Sequence, residues 1–169
     1  MARRVFYSFE YKADAWRAAM VRNIGAIEGN KPASDNDWET VTKGKDPAIE
    51  RWIAAQMNGR TCTVVLVGAS TANRKWINYE ISKSWAARMG VVGIRVHGLE
   101  TPQGFAASGQ NPFDYIPYSS TRVRFAPAHL SSIVKCYDPG GSNGKERYAW
   151  IVEHLANAVD EAIRIRNEN

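Results

Sequence analysis

Thr61-Cys62-Thr63-Val64-Val65-Leu66-Val67-Gly68-Ala69-Ser70-Thr71 is the stretch on which the fold turns. From Thr61 to Val67 the residues are β-branched or apolar, with none of the alternation that marks a strand wet on one side. A continuous run of this kind belongs to a strand covered on both faces, the usual condition inside a parallel sheet. It is read as the central strand. Gly68 to Thr71 then turns the chain into a helix with Ile77, Ile81 and Trp85 on one face, Ser70 reading as its cap, and Gly90 ends that helix before a strand over Val91 to Val96. Upstream, Asp46-Pro47 is a helix start, because Asp accepts from unpaired N–H groups and Pro at the first helical position loses nothing. Ile49, Ile53 and Met57 follow in line, and Asn58-Gly59 supplies the stop.

Further out, Arg4-Val5-Phe6-Tyr7-Ser8-Phe9 reads as a first strand, followed by a helix with Trp16, Met20, Ile24 and Ile27 at helical spacing. Gly29-Asn30-Lys31-Pro32 breaks that pattern. Ser34 to Thr42 is polar around a lone Trp38 and fits either a short edge strand or a long loop. Beyond His97 a stretch of low periodicity runs to about Ala128 and includes Asn111-Pro112-Phe113-Asp114-Tyr115; a last strand is read over Ser131 to Tyr137. The segment Asp138 to Gly144 connects to a closing helix with Tyr148, Ile151, Leu155, Val159 and Ala162 in register. Strands alternating with helices give an α/β fold, a single domain over residues 1–169. Its mainly parallel five-stranded sheet carries helices on both faces. With a flavodoxin-like order 2-1-3-4-5, taken as an assumption, the ends of the first strand (Ser8, Phe9, Glu10) and of the central strand (Gly68, Ala69, Ser70) meet at the carboxyl edge, where such sheets bind ligands.

Composition excludes several classes. Apolar residues at 44% and charged residues at 23% describe an ordinary globular chain. The longest apolar run is too short for a membrane span of roughly 20 residues, and the basic start leads into a strand-like run rather than a signal core. No membrane partner is expected. The net charge of +5 comes from scattered Lys and Arg, which argues against nucleic acid while favouring small anions. Cys62 and Cys136 sit in β-branched runs and read as buried thiols of a reducing, cytoplasmic compartment.

Motifs narrow the chemistry by elimination. The central strand ends without the Asp of a phospho-acceptor, and neither a G-x-x-x-x-G-K-[ST] nor a G-x-G-x-x-G run follows any strand. His97, His129 and His154 are dispersed without metal-ligand spacing, so no metal is expected, and no G-x-S-x-G elbow is present. What remains is Trp76-Ile77-Asn78-Tyr79-Glu80. The four-residue step places Trp76 and Glu80 on one helix face at the border of the apolar stripe. A carboxylate beside an indole at a core edge suits a cationic reacting centre, such as the oxocarbenium formed when a glycosidic bond breaks. The pattern alone equally admits Glu80 as a solvated or ion-paired residue, with Lys83 or Lys75 as partner, and Trp76 as core packing.

An ordered set of segments resembles the TIR-like proteins of the ThsB type, found in Thoeris anti-phage defence. The segments are Arg4 to Phe9 with Tyr11, Val21-Arg22-Asn23, Trp38-Glu39, Thr63 to Gly68, Asn73-Arg74-Lys75-Trp76, Tyr79-Glu80-Ile81, Gly93-Ile94 and Asn111 to Tyr115. The resemblance implies a TIR-like fold and an enzyme that splits the nicotinamide–ribose bond of NAD, with NAD as substrate, no cofactor, and Glu80 as the reacting carboxylate. It further implies release of an ADP-ribose-derived, often cyclic, signal nucleotide that reaches a separate effector protein, and a homo-oligomer in which neighbours complete the site. On this reading Tyr7, Ser8 and Phe9 floor the pocket. Trp38 stacks on adenine, nicotinamide or another subunit, and Ser70 and Trp76 join the substrate contacts; Arg22 is either a partner for pyrophosphate or a solvated arginine. Two other functions fit the same features: a nucleoside deoxyribosyltransferase-like enzyme, and a non-catalytic TIR-like adaptor acting by homotypic assembly.

Overall fold

The computed structural model describes residues 3–24, 35–118 and 129–169. Its strands are β1 (Val5–Ser8), β2 (Cys62–Val67), β3 (Gly90–Arg95) and β4 (Cys136–Tyr137). They pair in the order β1-β2-β3-β4, every pairing parallel. The helices are α1 (Tyr11–Arg22), α2 (Asp35–Thr42), α3 (Asp46–Met57), α4 (Lys75–Ala86) and α5 (Gly144–Glu168). The fold is thus α/β and flavodoxin-like, and β1 lies beside β2 as the assumed order requires, with Ser8 opposite Val65.

Every residue of β2 is buried, as a strand sandwiched between two helical layers must be. Cys62, Val64 and Leu66 pack with Val5, Phe9, Val92 and Ile94 against Val21 of α1 and Ile151, Leu155 and Val159 of α5. Val65 and Val67 face the other way, onto Ile77 and Ile81 of α4 and onto Phe113 and Leu130. A third cluster joins Phe6 of β1 to Ile49, Ile53 and Met57 of α3. Strand alternation therefore sends Val5 and Tyr7 toward α1 and α5, and Phe6 toward α3.

Several expectations are corrected. The sheet has four strands among the described residues, and the segment Ser34 to Thr42, read as an edge strand or loop, carries α2 over its described part, Asp35–Thr42. In α1 the indole of Trp16 is 58% exposed, and the buried positions are Asp14, Arg17, Ala18 and Val21. The apolar spacing misjudged the phase because Arg17 is buried by bonding its guanidinium to Asp14 and to the carbonyls of Leu99 and Gly104. Ile27 and the break at Gly29 to Pro32 lie outside the described residues. Asp46 is not the cap of α3; Lys45 holds that position, and Asp46 sits in the first turn. Ser70 caps nothing, since α4 begins only at Lys75, after Asn73 has taken φ 60°. Gly90 opens β3 rather than ending α4, which stops at Ala86 with Arg88 at φ 61°. Its missing side chain serves packing: a Cβ there would stand 2.7 Å from the backbone nitrogen of Ile163 in α5. The last strand shrinks to Cys136–Tyr137, preceded by a 3-10 turn at Leu130–Ser132. Both cysteines are free; Cys62 is buried and Cys136 half-buried. No described helix is long and apolar enough to cross a membrane.

Candidate active site

At the carboxyl edge of the sheet the chain leaves β1 through Phe9 and Glu10. Glu10 caps α1, its carboxylate accepting from the backbone N–H of Lys12 and Ala13. The chain leaves β2 through Gly68 and returns as α4. Between these elements lies a cleft of about 460 Å³, lined by Phe9, Glu10, Tyr11, Trp38, Thr42, Arg74, Lys75, Trp76, Ile77 and Glu80.

Glu80 is the buried acid of this cleft. It sits on α4 one turn after Trp76, and only 4% of it is exposed. Its Oε2 accepts a hydrogen bond from the hydroxyl of Ser8, itself 1% exposed. Burial pushes the Glu80 carboxyl up to about 8, and the Ser8 bond acts in the opposite sense without cancelling it. Ser84 Oγ donates to the Glu80 carbonyl at 2.7 Å and lies 2.6 Å from Thr63 Oγ1, so a buried file of hydroxyls joins the sheet to α4 behind the acid. Glu80 is neither solvated nor ion-paired with lysine: Lys75 pairs with Asp46, and no described salt bridge includes Glu80.

Aromatic rings make up much of the lining. Phe9 stacks on Tyr11 at 4.3 Å between centroids, Tyr11 on Trp38 at 5.0 Å and 11° between planes, and Trp38 leans on Trp52 at 5.4 Å. Trp76 meets Tyr79 edge to face at 5.6 Å, and the Lys75 ammonium lies 4.9 Å from the Trp76 ring centroid. Arg74 and Lys75 bring positive charge to the start of α4. Arg74 Nε donates to the Ser70 carbonyl at 2.6 Å, and its guanidinium lies 4.0 Å from Glu10.

Of the residues singled out in the sequence, Phe9, Trp38, Trp76 and Glu80 meet in this cleft. Ser8 does not line it; its hydroxyl holds Glu80 from behind. Tyr7 points to the opposite face of the sheet and packs in the α1 and α5 layer, where burial pushes its phenol up to about 12. Ser70 is exposed in the turn after β2 and enters only through its carbonyl. Arg22 is not among the lining; its guanidinium lies 5.4 Å from the Phe9 ring centroid. Glu10, expected at this edge, lines the cleft, whereas Arg74, Lys75 and Tyr11 were missed as site residues. A basic pair opening a helix at the carboxyl edge was the available signal, since helix N-termini and cations there both favour anions. Among the described residues no group of three or more His, Cys, Asp or Glu is placed to hold a metal.

A buried acid beneath an aromatic-walled cleft with cations at its edge suits a ligand that combines flat rings, phosphate and a cationic centre. Comparison with known proteins bears on the identity. The family described as "Thoeris protein ThsB, TIR-like domain" matches residues 6–101. A protein of Bacillus cereus (strain MSX-D12), named "Putative cyclic ADP-D-ribose synthase ThsB1", is 36% identical over 124 residues, 70% of this chain. The match spans 65% of that relative's own length. The chain therefore belongs to the ThsB family of TIR-like proteins.

Proposed function

We propose that this protein breaks the bond between nicotinamide and ribose in NAD, with Glu80 as the reacting carboxylate. The observation that carries the reading is the placement of one nearly inaccessible carboxyl at the base of a cleft walled by Phe9, Tyr11, Trp38 and Trp76. The nicotinamide ring is cationic before cleavage, and the electron pair of its C–N bond leaves with it, so positive charge passes onto the ribose carbon. A carboxylate in a desolvated setting stabilises that charge more strongly than water does. Arg74 and Lys75 suit the pyrophosphate, and the rings of Tyr11 and Trp38 offer a stacking surface for adenine. The ribosyl cation is then captured by an adenine nitrogen, giving a cyclic ADP-ribose, and the name of the Bacillus relative supports this outcome over simple hydrolysis. The product acts as a diffusible signal on a separate effector, and self-assembly of the protein completes the site.

The test incubates purified protein with NAD, at concentrations that favour assembly, and follows nicotinamide and the nucleotide product by chromatography and mass spectrometry. The same nucleotides are measured in cells carrying the protein during phage infection. Nicotinamide release that disappears in Glu80→Gln supports the proposal. A correctly folded Glu80→Gln protein that still defends cells with unchanged NAD rejects it in favour of a non-catalytic adaptor. Release of free base from deoxynucleosides, with NAD untouched, assigns the site to a deoxyribosyl transfer instead.

A further inference from the structure

We infer that Ser8 is a positioning residue for this chemistry: its hydroxyl fixes one oxygen of Glu80 and so presents the other to the ribose. The inference rests on the NAD reading above. It begins with strand alternation. Phe6 and Ser8 share the face of β1 that looks toward α3 and α4, and Phe6 spends that position on the apolar cluster with Ile49, Ile53 and Met57. Two residues on, at the carboxyl end of the strand, the same face offers a hydroxyl. With 1% of Ser8 exposed, water does not satisfy it, and a buried hydroxyl requires a partner. It finds Glu80 Oε2, on an element 72 residues distant in sequence.

The consequence for Glu80 is geometric. The terminal torsion of a glutamate is broad and nearly two-fold, so an unheld carboxyl swings between many orientations. One hydrogen bond to one oxygen removes that freedom, and a reacting group fixed near its working geometry saves the ordering that would otherwise be needed in the transition state. The bond also favours the ionised form, which the reaction uses, against the opposing effect of burial. The charged or titratable groups lining the cleft with Glu80 are Glu10 and Tyr11 after β1, and Arg74 and Lys75 at the start of α4. Tyr79 lies beside Trp76 on α4, and α3 brings Ile49, Ile53 and Met57 to the adjoining cluster and the Asp46 carboxylate onto Lys75. Ser8 is thus the described group seen bonding the Glu80 side chain.

The test compares full-length Ser8→Ala, Ser8→Thr and Ser8→Cys with wild type and with Glu80→Gln. It measures nicotinamide release from NAD across pH, and thermal stability across the same range. We expect Ser8→Ala to lower kcat by about tenfold with KM within about twofold, the signature of lost positioning rather than lost binding. The rise of kcat/KM with pH moves upward, and the pH dependence of stability moves the same way. Ser8→Thr, which keeps the hydroxyl, restores most of the rate; if its methyl is not accommodated, Ser8→Cys, with a weaker donor, gives an intermediate profile. A Ser8→Ala protein with wild-type kcat and an unshifted profile, in a series where Glu80→Gln abolishes release, overturns the role of Ser8 and leaves NAD cleavage standing. If Glu80→Gln releases nicotinamide at the wild-type rate, NAD cleavage through Glu80 fails, and with it the role of Ser8 in that chemistry, whatever the stability curves show.

Discussion

Replacing Glu80 by Gln should make the protein more stable while removing its chemistry, and the size of the effect follows from the burial of one carboxyl. The folded state holds Glu80 at about 8 against an ordinary value of 4.5. The folded chain therefore keeps a proton that the unfolded chain gives up. Below pH 4.5 both states are protonated and this contribution to stability is fully present; it declines as pH rises, and is lost once pH passes the folded value near 8. Each unit in that window removes roughly 1.4 kcal/mol, so at pH 7 the wild type carries a penalty of about 3 kcal/mol relative to a neutral group of the same shape. Gln is such a group. At pH 7 Glu80→Gln should be more stable by about 2 to 3 kcal/mol, a rise in Tm of roughly 5 to 10 °C for a chain of this size, and at pH 4 the two proteins should melt together. Calorimetry or chemical denaturation from pH 4 to 9 measures this. The difference between the two curves isolates Glu80 from other titrating groups, Asp14 among them, whose carboxyl is also raised by burial. A difference that stays flat with pH refutes the argument, because it would mean that the folded protein does not hold this proton.

The same proton predicts that kcat/KM for NAD climbs as pH rises toward about 8, since the free enzyme must ionise Glu80 to use it; a profile already level from pH 6 would count against a buried resting acid. Trp38→Ala removes the ring that bridges Tyr11 and Trp52, and should raise KM for NAD about tenfold while leaving the fold intact, as read by titration calorimetry and circular dichroism. Gly90→Ala forces a methyl onto the α5 backbone and should cost about 2 to 3 kcal/mol, measured by urea denaturation; neutrality would mean that α5 can shift where the contact says it cannot. Burial raises the thiols of Cys62 and Cys136, the latter to about 11, so a thiol reagent at neutral pH should modify Cys62 only on unfolding and Cys136 slowly.

Where a segment obeys a single physical rule, its structure was readable. The run from Cys62 to Val67 is apolar because both its faces are covered, and the Ile49, Ile53, Met57 and Ile77, Ile81 spacings mark the faces of α3 and α4 that the core buries. Legibility failed where tertiary contacts outrank local pattern. Trp16 looks like a core residue and is exposed, because Asp14 and Arg17 are buried in its place, paired with each other, the guanidinium also donating to carbonyls some 80 residues away. The polar face around Trp38 hid a helix, since two of its ring contacts come from other elements, Tyr11 and Trp52. In the site, the spacing of Trp76 and Glu80 was visible, but the bond from Ser8 to Glu80 was not. Nothing local to β1 reveals that a hydroxyl at its end will face an acid 72 positions later.

The site sets two demands against each other. The proposed catalysis by Glu80 needs the carboxylate, and the fold, by surrounding it with β1, α4 and aromatic rings, favours the acid. Water cannot settle the conflict, since only 4% of the residue is accessible. Arg74 and Lys75 do not settle it either, for each has a carboxylate partner of its own, in Glu10 and Asp46. A ligand that brings positive charge into the cleft does settle it, because it favours the ionised form at the moment that form is needed. Dinucleotides of similar shape whose ring is uncharged lack this effect and leave the proton in place. On the proposed chemistry, the burial that weakens the empty protein thus becomes a filter, in which the charge on a nicotinamide ring, rather than its shape alone, would draw out the carboxylate that stabilises the cation left on ribose.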